Sequence, residues 1–158
     1  MTKEFEKILQ FTLLREGFIS DDKDDPGKLT IWGLASKFNP KEVALMKRLL
    51  DEGKKKEAFV ICRDTYWRKY WLDAGLDHLE SKMAMVAFEF CVLPGIGALE
   101  EALSQSPTGW RDLLLKRIKY FSDKNNRIYI RGWVKRCVYL YEFIFDIEEE
   151  EKYNNRNI

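Results

Sequence analysis

Residues 80–93, ESKMAMVAFEFCVL, contain the longest apolar run of the chain and decide its fold. Placed on a helix, the segment is apolar on nearly all sides, and such a helix lies inside a protein core. We therefore predict a central helix around which the other helices pack. The run is far shorter than the roughly 20 residues that cross a bilayer, so no membrane insertion is expected. Glu89 interrupts it and needs a partner if buried; it either supports Glu16 or Arg15 or emerges at the surface.

Amphipathic helical patterns flank this segment on both sides. The first covers residues 3–16, where apolar residues recur at i, i+3, i+4 and i+7, and Gly17 ends it. Phe59, in a later helix, is expected to face the core. The acidic segment 148–158 has no apolar face and predicts a disordered tail. Residues 1–147 are expected to form a single compact, mainly α domain. The other predicted helices cover residues 40–52, 54–71, 98–103, 108–121 and 129–146.

The length, charge and cysteine content of the chain limit the classes of function that it can have. A length of 158 residues is typical of one domain, and a net charge of +1 lacks the strongly basic balance of nucleic-acid-binding proteins. Cys62, Cys91 and Cys137 are far apart in apolar runs, which predicts free buried thiols, folding in a reducing compartment and no metal site. The N-terminal segment lacks the apolar core of a signal peptide, so synthesis in the cytoplasm without one is expected. Nothing predicts a cofactor.

The segment REGFISDDKDDPGKLTIWGL, residues 15–34, differs from the helical patterns around it because polar and turn residues are concentrated there. Helical geometry places Glu16 only about 20° around the axis from Phe5, at the C-terminal end of the apolar stripe. Burial and the negative end of the helix dipole both favour the protonated form of a carboxylic acid. A general acid in glycosidic bond cleavage needs that form. The position of Glu16 therefore indicates this role.

Glycosidic cleavage also needs a second, ionised carboxylate, and the same segment offers candidates. Asp25 follows Glu16 in a turn, and Thr30 has a hydroxyl that could hold a water molecule. By pattern alone, a solvent-exposed helix end with turn-forming aspartates remains an alternative. A calcium loop is a further alternative, although the alternating ligand spacing and terminal glutamate are missing.

A family resemblance favours the catalytic interpretation. EGFISDDKDDPGKLTIWGL resembles the signature of glycoside hydrolase family 108, the N-acetylmuramidases, which runs Glu-Gly-Gly-Tyr, Asp-Pro, Asp-Pro-Gly-Gly, then Thr and Gly-Ile. YWRKYW at 66–71 and AMVAFEFCVLPGIGAL at 84–99 are similar to later family segments, and IRGWVKR at 130–136 resembles a C-terminal peptidoglycan-binding portion. The residues that match the first signature are Glu16, Gly17, Asp25, Pro26, Gly27, Thr30 and Gly33.

The resemblance implies a lysozyme-like α+β fold, with a small hairpin or loop excursion carrying the active site. It implies that Glu16 is the catalytic acid and that Asp25 and Thr30 complete the constellation. The implied substrate is the β-1,4 bond between N-acetylmuramic acid and N-acetylglucosamine in bacterial peptidoglycan, and helices at about 98–147 would form the wall-binding portion. The chain departs from the family pattern at four positions, which are Phe18, Asp22, Lys28 and Leu93.

Aromatic residues near the motif are candidates for substrate binding, since aromatic faces stack on apolar faces of flat partners. Trp32 lies beside the predicted site, and Tyr66, Tyr70 and Trp71 belong to the aromatic YWRKYW segment. Packing in the core is the alternative for each of them. The single histidine, His78, has no partners for a nucleophilic triad in the sequence.

These observations predict a lysozyme-type hydrolase of the endolysin kind that is monomeric, binds bacterial peptidoglycan and reaches the wall after release from the cytoplasm. Two alternatives stay open. One is a non-catalytic wall-binding or secretion-assisting protein that lost turnover through the changes at Phe18, Lys28 and Leu93. The other is a lytic transglycosylase, which needs one acid and is disfavoured by Asp25 and Thr30.

Overall fold

The computed structural model of the protein describes residues 1–21, 29–124 and 128–156. Its contacts divide the chain into two units, Met1–Gly75 and Leu76–Ile158. The predicted fold class is confirmed, because the described residues are mainly helical and include a small antiparallel sheet. The prediction of one domain over residues 1–147 stays a prediction.

The first unit begins with helix α1, Lys3–Glu16. The Thr2 hydroxyl accepts a hydrogen bond from the Phe5 amide at 3.2 Å, which caps the helix. The apolar stripe is buried, with Phe5 and Ile8 fully inaccessible. The helix ends at Gly17, whose φ of 74° lies in the region that favours glycine. The predicted bounds of this helix are confirmed.

A three-stranded antiparallel sheet follows α1. Strands β1 (Ile19–Ser20), β2 (Thr30–Ile31) and β3 (Leu34–Ala35) are ordered β1-β2-β3. Ile31 is opposite Leu34, so only Trp32 and Gly33 form the turn between β2 and β3. The small hairpin predicted from the sequence is therefore present.

Helices α2 (Pro40–Asp51) and α3 (Lys55–Thr65) complete the first unit, together with a π-helical segment, Tyr66–Leu72. The sequence pattern predicted one helix over 54–71 with Phe59 facing inward, and this is wrong in two respects. The winding changes at Tyr66, and Phe59 is 37% exposed. The wider π winding allows Tyr66 and Trp71, five positions apart, to be buried together.

The second unit contains α4 (Ser81–Val92), α5 (Ile96–Ser104), α6 (Trp110–Asp123) and α7 (Ile130–Arg156), preceded by a 3₁₀ turn, Leu76–His78. All residues from 84 to 91 of α4 are buried. The prediction that this segment is a buried core helix is confirmed.

Glu89 is fully buried in α4, so the alternative that it emerges at the surface is wrong. Its carboxylate accepts from Arg136 Nε at 2.7 Å and Nη2 at 3.1 Å, and from Arg117 Nη2 at 3.3 Å. Arg117 Nη2 also donates to the carbonyl oxygens of Glu89 and Leu93 at 3.1 and 2.9 Å. Burial lowers the pKa of the Arg117 guanidinium, while the Glu89 charge opposes that shift. These contacts connect α4 to α6 and α7.

Helix α7 continues through Arg156, beyond the predicted end at residue 146. The disordered tail predicted from residue 148 is therefore corrected, because residues 148–156 are helical. Arg111 donates to Glu148 and Lys82 donates to Glu151, both at 2.6 Å, and Lys152 lies within 4 Å of Glu148 on the same helix face. These ion pairs connect the end of α7 to α4 and α6. Across the described part of the chain, no helix is both long enough and apolar enough to cross a membrane.

Candidate active site

Glu16 is the last residue of α1, and the chain leaves the helix directly after it to enter the sheet. Its side chain is half-buried. Gly17 makes this exit possible through its positive φ. The predicted acid is therefore at a helix end beside the sheet, as the sequence analysis expected.

Gly33 approaches Glu16 more closely than any residue with a side chain could. A Cβ atom built on Gly33 would lie 2.7 Å from Glu16 Cγ, 2.8 Å from Glu16 Cβ and 2.6 Å from Tyr66 Oη. Non-bonded carbon atoms prefer about 3.5–4.0 Å. The β2–β3 turn therefore packs against Glu16, and the Tyr66 hydroxyl lies at the same point.

Trp32 adopts a strained backbone conformation in this turn. Its φ is 48° and that of Gly33 is 80°, which is the positive pair typical of a two-residue type I′ hairpin. A bulky residue rarely adopts positive φ. Two hydrogen bonds hold it, because the Tyr66 hydroxyl donates to Trp32 O at 2.9 Å and Trp32 N donates to Phe18 O at 2.7 Å. Such strain is concentrated at functional sites.

Of the other two predicted catalytic residues, Thr30 belongs to the part of the chain that the structure describes and Asp25 does not. Thr30 is half-buried on β2, opposite Ser20 on β1 and Ala35 on β3, in the sheet whose turn packs against Glu16. Asp25 lies outside the described residues. The catalytic roles of Asp25 and Thr30 stay predictions.

The four predicted substrate-binding aromatics have different environments. Trp32 is 8% exposed, Tyr66 1% and Trp71 2%. The Trp71 ring packs edge-on against Phe5 with centroids 5.5 Å apart, and the Tyr66 ring contacts half-buried Tyr70 at 5.1 Å. Burial leaves Tyr66 and Trp71 no open ring face for a sugar. Tyr66 instead contributes its hydroxyl beside Glu16, and the binding roles of Trp32 and Tyr70 stay predictions.

Comparison with protein families decides the class. The family model described as Glycosyl hydrolase 108 matches residues 9–95, more than half of the chain. The chain belongs to the glycosyl hydrolase 108 family. The matched segment includes Glu16, Thr30, Gly33 and Tyr66, so the residues that meet at the β2–β3 turn all lie within it. Searches of curated proteins and of solved structures found no significant match.

The resemblance stated from the first motif is thereby confirmed at the level of the family and of glycoside hydrolysis. The mainly α, lysozyme-like α+β fold expected of it is also confirmed. The family match ends at residue 95, so the peptidoglycan-binding portion expected at about 98–147 lies outside it.

A groove beside the site was not predicted from the sequence. We call it the Trp32 groove, and Trp32, Gly53, Lys54, Lys55, Lys56, Glu57, Phe59 and Val60 line it. The sequence did contain one signal for it, the run Lys54-Lys55-Lys56 at the start of α3. Tertiary packing of Phe59 against Trp32, with centroids 5.5 Å apart, could not be read from that run.

The cysteines of this glycosyl hydrolase take no part in the site. All three are free and buried, as predicted. Burial raises the pKa of the Cys62 and Cys91 thiols to about 12, and it raises that of Cys137 as well. Within residues 1–21, 29–124 and 128–156, no group of His, Cys, Asp and Glu side chains could hold a metal ion.

Proposed function

We propose that this glycosyl hydrolase is a peptidoglycan hydrolase of the N-acetylmuramidase type. It cleaves the β-1,4 bond between N-acetylmuramic acid and N-acetylglucosamine, and Glu16 is the general acid. The observation that carries the proposal is the packing of Gly33 against Glu16, which is so close that a Cβ atom added to Gly33 would lie 2.7 Å from Glu16 Cγ. A general acid must be held within hydrogen-bond reach of the leaving oxygen, and this contact restricts where the carboxyl group can be.

The remaining chemistry is assigned by the family motif. Asp25 is proposed as the second carboxylate, which activates water or supports positive charge on the sugar ring. Thr30 is proposed to hold the water. The three residues proposed for catalysis follow one another within 15 positions of the sequence, and the Trp32–Gly33 turn packs against Glu16.

The cellular setting is also a proposal. Three buried free thiols are consistent with folding in a reducing compartment before the enzyme reaches the wall. An endolysin that is released from the cytoplasm has this history.

Digestion of purified peptidoglycan by wild type and by Glu16→Gln tests the proposal. Gln keeps the shape of Glu but cannot donate the proton, so new reducing muramic acid ends should appear only with wild type. Glu6→Gln is the matched control, since Glu6 is a half-buried glutamate in the first turn of the same helix. Mass spectrometry identifies the new ends.

Three other outcomes of the digestion would contradict the proposed function or the role of Glu16. Equal release by Glu16→Gln removes Glu16 from the mechanism. Anhydro-muramic ends from wild type would identify a lytic transglycosylase. Wall binding by wild type without new ends would identify a non-catalytic wall-binding protein.

A further inference from the structure

Exposed aromatic surface lies in the Trp32 groove, at Phe59, and beside it, at Phe18. Phe18 is 42% and Phe59 is 37% exposed, and both rings contact the Trp32 indole, at centroid distances of 5.0 and 5.5 Å. Val60, which is 42% exposed, extends the apolar lining. Exposed apolar residues that cluster in a concave surface mark binding sites more often than isolated ones do.

The groove adjoins the candidate active site along the chain. Trp32 lines the groove, and the next residue, Gly33, packs against Glu16. Phe18 follows Glu16 by two positions and accepts a backbone hydrogen bond from Trp32. A polymer bound with one bond at Glu16 therefore has neighbouring units within reach of the groove.

Phe18 stands at the position where the family motif given in the sequence analysis has its second glycine. The Lys55 ammonium lies 4.4 Å from the centroid of the Phe18 ring, within the range of a cation–π contact. A glycine at this position would have no ring to contact Lys55 or Trp32. Phe18 therefore adds exposed aromatic surface beside the groove.

The charge of the groove is positive. Among the residues that the structure describes, Lys54, Lys55 and Lys56 line it together with one acidic residue, Glu57. The Lys54 ammonium is 2.8 Å from a carboxylate oxygen of Glu52, so its charge is partly satisfied within the chain. Lys55 and Lys56 are the cations best placed to meet an anionic ligand, and carboxylates are the anions that peptidoglycan carries.

We propose that the Trp32 groove is a substrate subsite for anionic glycan strands. Phe18 and Phe59 contact the apolar face of a sugar ring, and Lys55 and Lys56 bind a carboxylate on the lactyl arm of muramic acid. That carboxylate is either the lactyl group itself or a group of the attached stem peptide. This inference rests on the proposed function, and it makes the groove a determinant of preference for peptidoglycan over neutral chitin-type chains.

Binding measured in the Glu16→Gln background tests the inference without turnover. The three ligands are a soluble peptide-bearing glycan, the same glycan with its peptides removed, and a chitooligosaccharide of equal length. We expect both carboxylate-bearing glycans to bind about tenfold more tightly than the chitooligosaccharide at low salt, and the difference to shrink as salt screens the lysines. Preference for only one of the two anionic glycans would identify which carboxylate is bound.

Substitutions in the groove test whether its residues cause the preference for carboxylate-bearing glycans. Lys55→Ala with Lys56→Ala should weaken binding of the two carboxylate-bearing glycans by about tenfold more than it weakens binding of the chitooligosaccharide, and so remove the preference. Lys37→Ala with Lys41→Ala is the matched control, because both lysines are exposed in the first unit, lie outside the groove and remove the same charge. Phe18→Gly, which restores the family residue, should weaken binding of all three ligands.

The inference is overturned if the three ligands bind equally, if none binds, or if the control pair reduces the preference as much as Lys55 and Lys56 do. Failure of the proposed function is a separate result. It would appear as wild-type protein that releases no muramic ends from peptidoglycan, whatever the binding preference.

Discussion

Gly33 and Glu16 are in contact across the β2–β3 turn, so closely that a Cβ on Gly33 would lie 2.7 Å from Glu16 Cγ. The two residues belong to different elements, since one ends α1 and the other is in the hairpin turn. The position of the candidate acid therefore depends on the absence of a side chain at Gly33.

Gly33→Ala should reduce both stability and activity. The new methyl group meets Glu16 and Tyr66, and the φ of 80° disfavours alanine. We expect a loss of about 3 kcal/mol in the free energy of unfolding, from 1–2 kcal/mol of backbone cost and 1–3 kcal/mol of overpacking. Denaturant unfolding measures the first effect and release of muramic ends the second.

Gly53→Ala is the control for that substitution. Gly53 has a similar φ of 73°, but nothing lies within 4 Å of the added Cβ. It should lose only the backbone part, about 1–2 kcal/mol. Equal losses for the two variants would show that the contact with Glu16 is not tight.

Tyr66→Phe should loosen the strained turn. The Tyr66 hydroxyl donates to the Trp32 carbonyl at 2.9 Å in a buried environment, and phenylalanine would leave that carbonyl without this donor. The expected cost is about 1–3 kcal/mol in the free energy of unfolding, with slower glycan cleavage because the turn packs against Glu16. Near-ultraviolet circular dichroism reports the change in the environment of Trp32.

Tyr70→Phe provides the comparison. The Tyr70 hydroxyl accepts from Asn39 Nδ2 at 3.4 Å, a longer contact on a half-buried ring. Its loss should change stability and activity little. If both tyrosine variants behave like wild type, the hydrogen bond to Trp32 does not hold the turn.

The helices whose contacts are local could be predicted from the sequence. The bounds of α1 follow from its apolar period and from Gly17, and the burial of α4 follows from its composition. The family motif likewise makes Glu16 the candidate acid from the sequence alone, and its catalytic role stays a prediction. The residues that make up each helix pattern, and those that make up the motif, are close together in the sequence.

Features that depend on contacts between distant residues could not be predicted. The π winding after Thr65 allows Tyr66 and Trp71 to pack inward, and the Trp71 ring meets Phe5, far away in sequence. The contact of the partly exposed Phe59 ring with Trp32 also joins residues that are far apart in the sequence. The same reason applies to the helical tail, since a local pattern without an apolar face cannot reveal the bonds from Arg111 to Glu148 and from Lys82 to Glu151.

Glu89→Gln should strongly destabilise the second unit. The carboxylate is fully buried and bonded to Arg117 and Arg136, and glutamine would remove the negative charge that faces these two guanidinium groups. Breaking a buried ion pair in this way costs about 3–5 kcal/mol. Denaturant unfolding measures the loss. Glu142→Gln, at an exposed site on α7, should change stability by less than about 0.5 kcal/mol, and similar losses for both would contradict the structural role of Glu89.

The thiols should be unreactive in the folded protein and should make it sensitive to alkaline pH. Burial raises the pKa of Cys62 and Cys91 from 9.0 to about 12, so neither forms thiolate in the native state near neutral pH. Because the pKa of each thiol is higher in the folded protein, the contribution of these thiols to the free energy of unfolding is complete below pH 9 and is lost as the pH rises from 9 towards 12.

A thiol-specific reagent at pH 8 should label the cysteines of the native protein slowly, and it should label all three cysteines after denaturation. Rapid labelling of the native protein would show that these side chains open to solvent, and unchanged stability between pH 8 and pH 11 would contradict the raised pKa values.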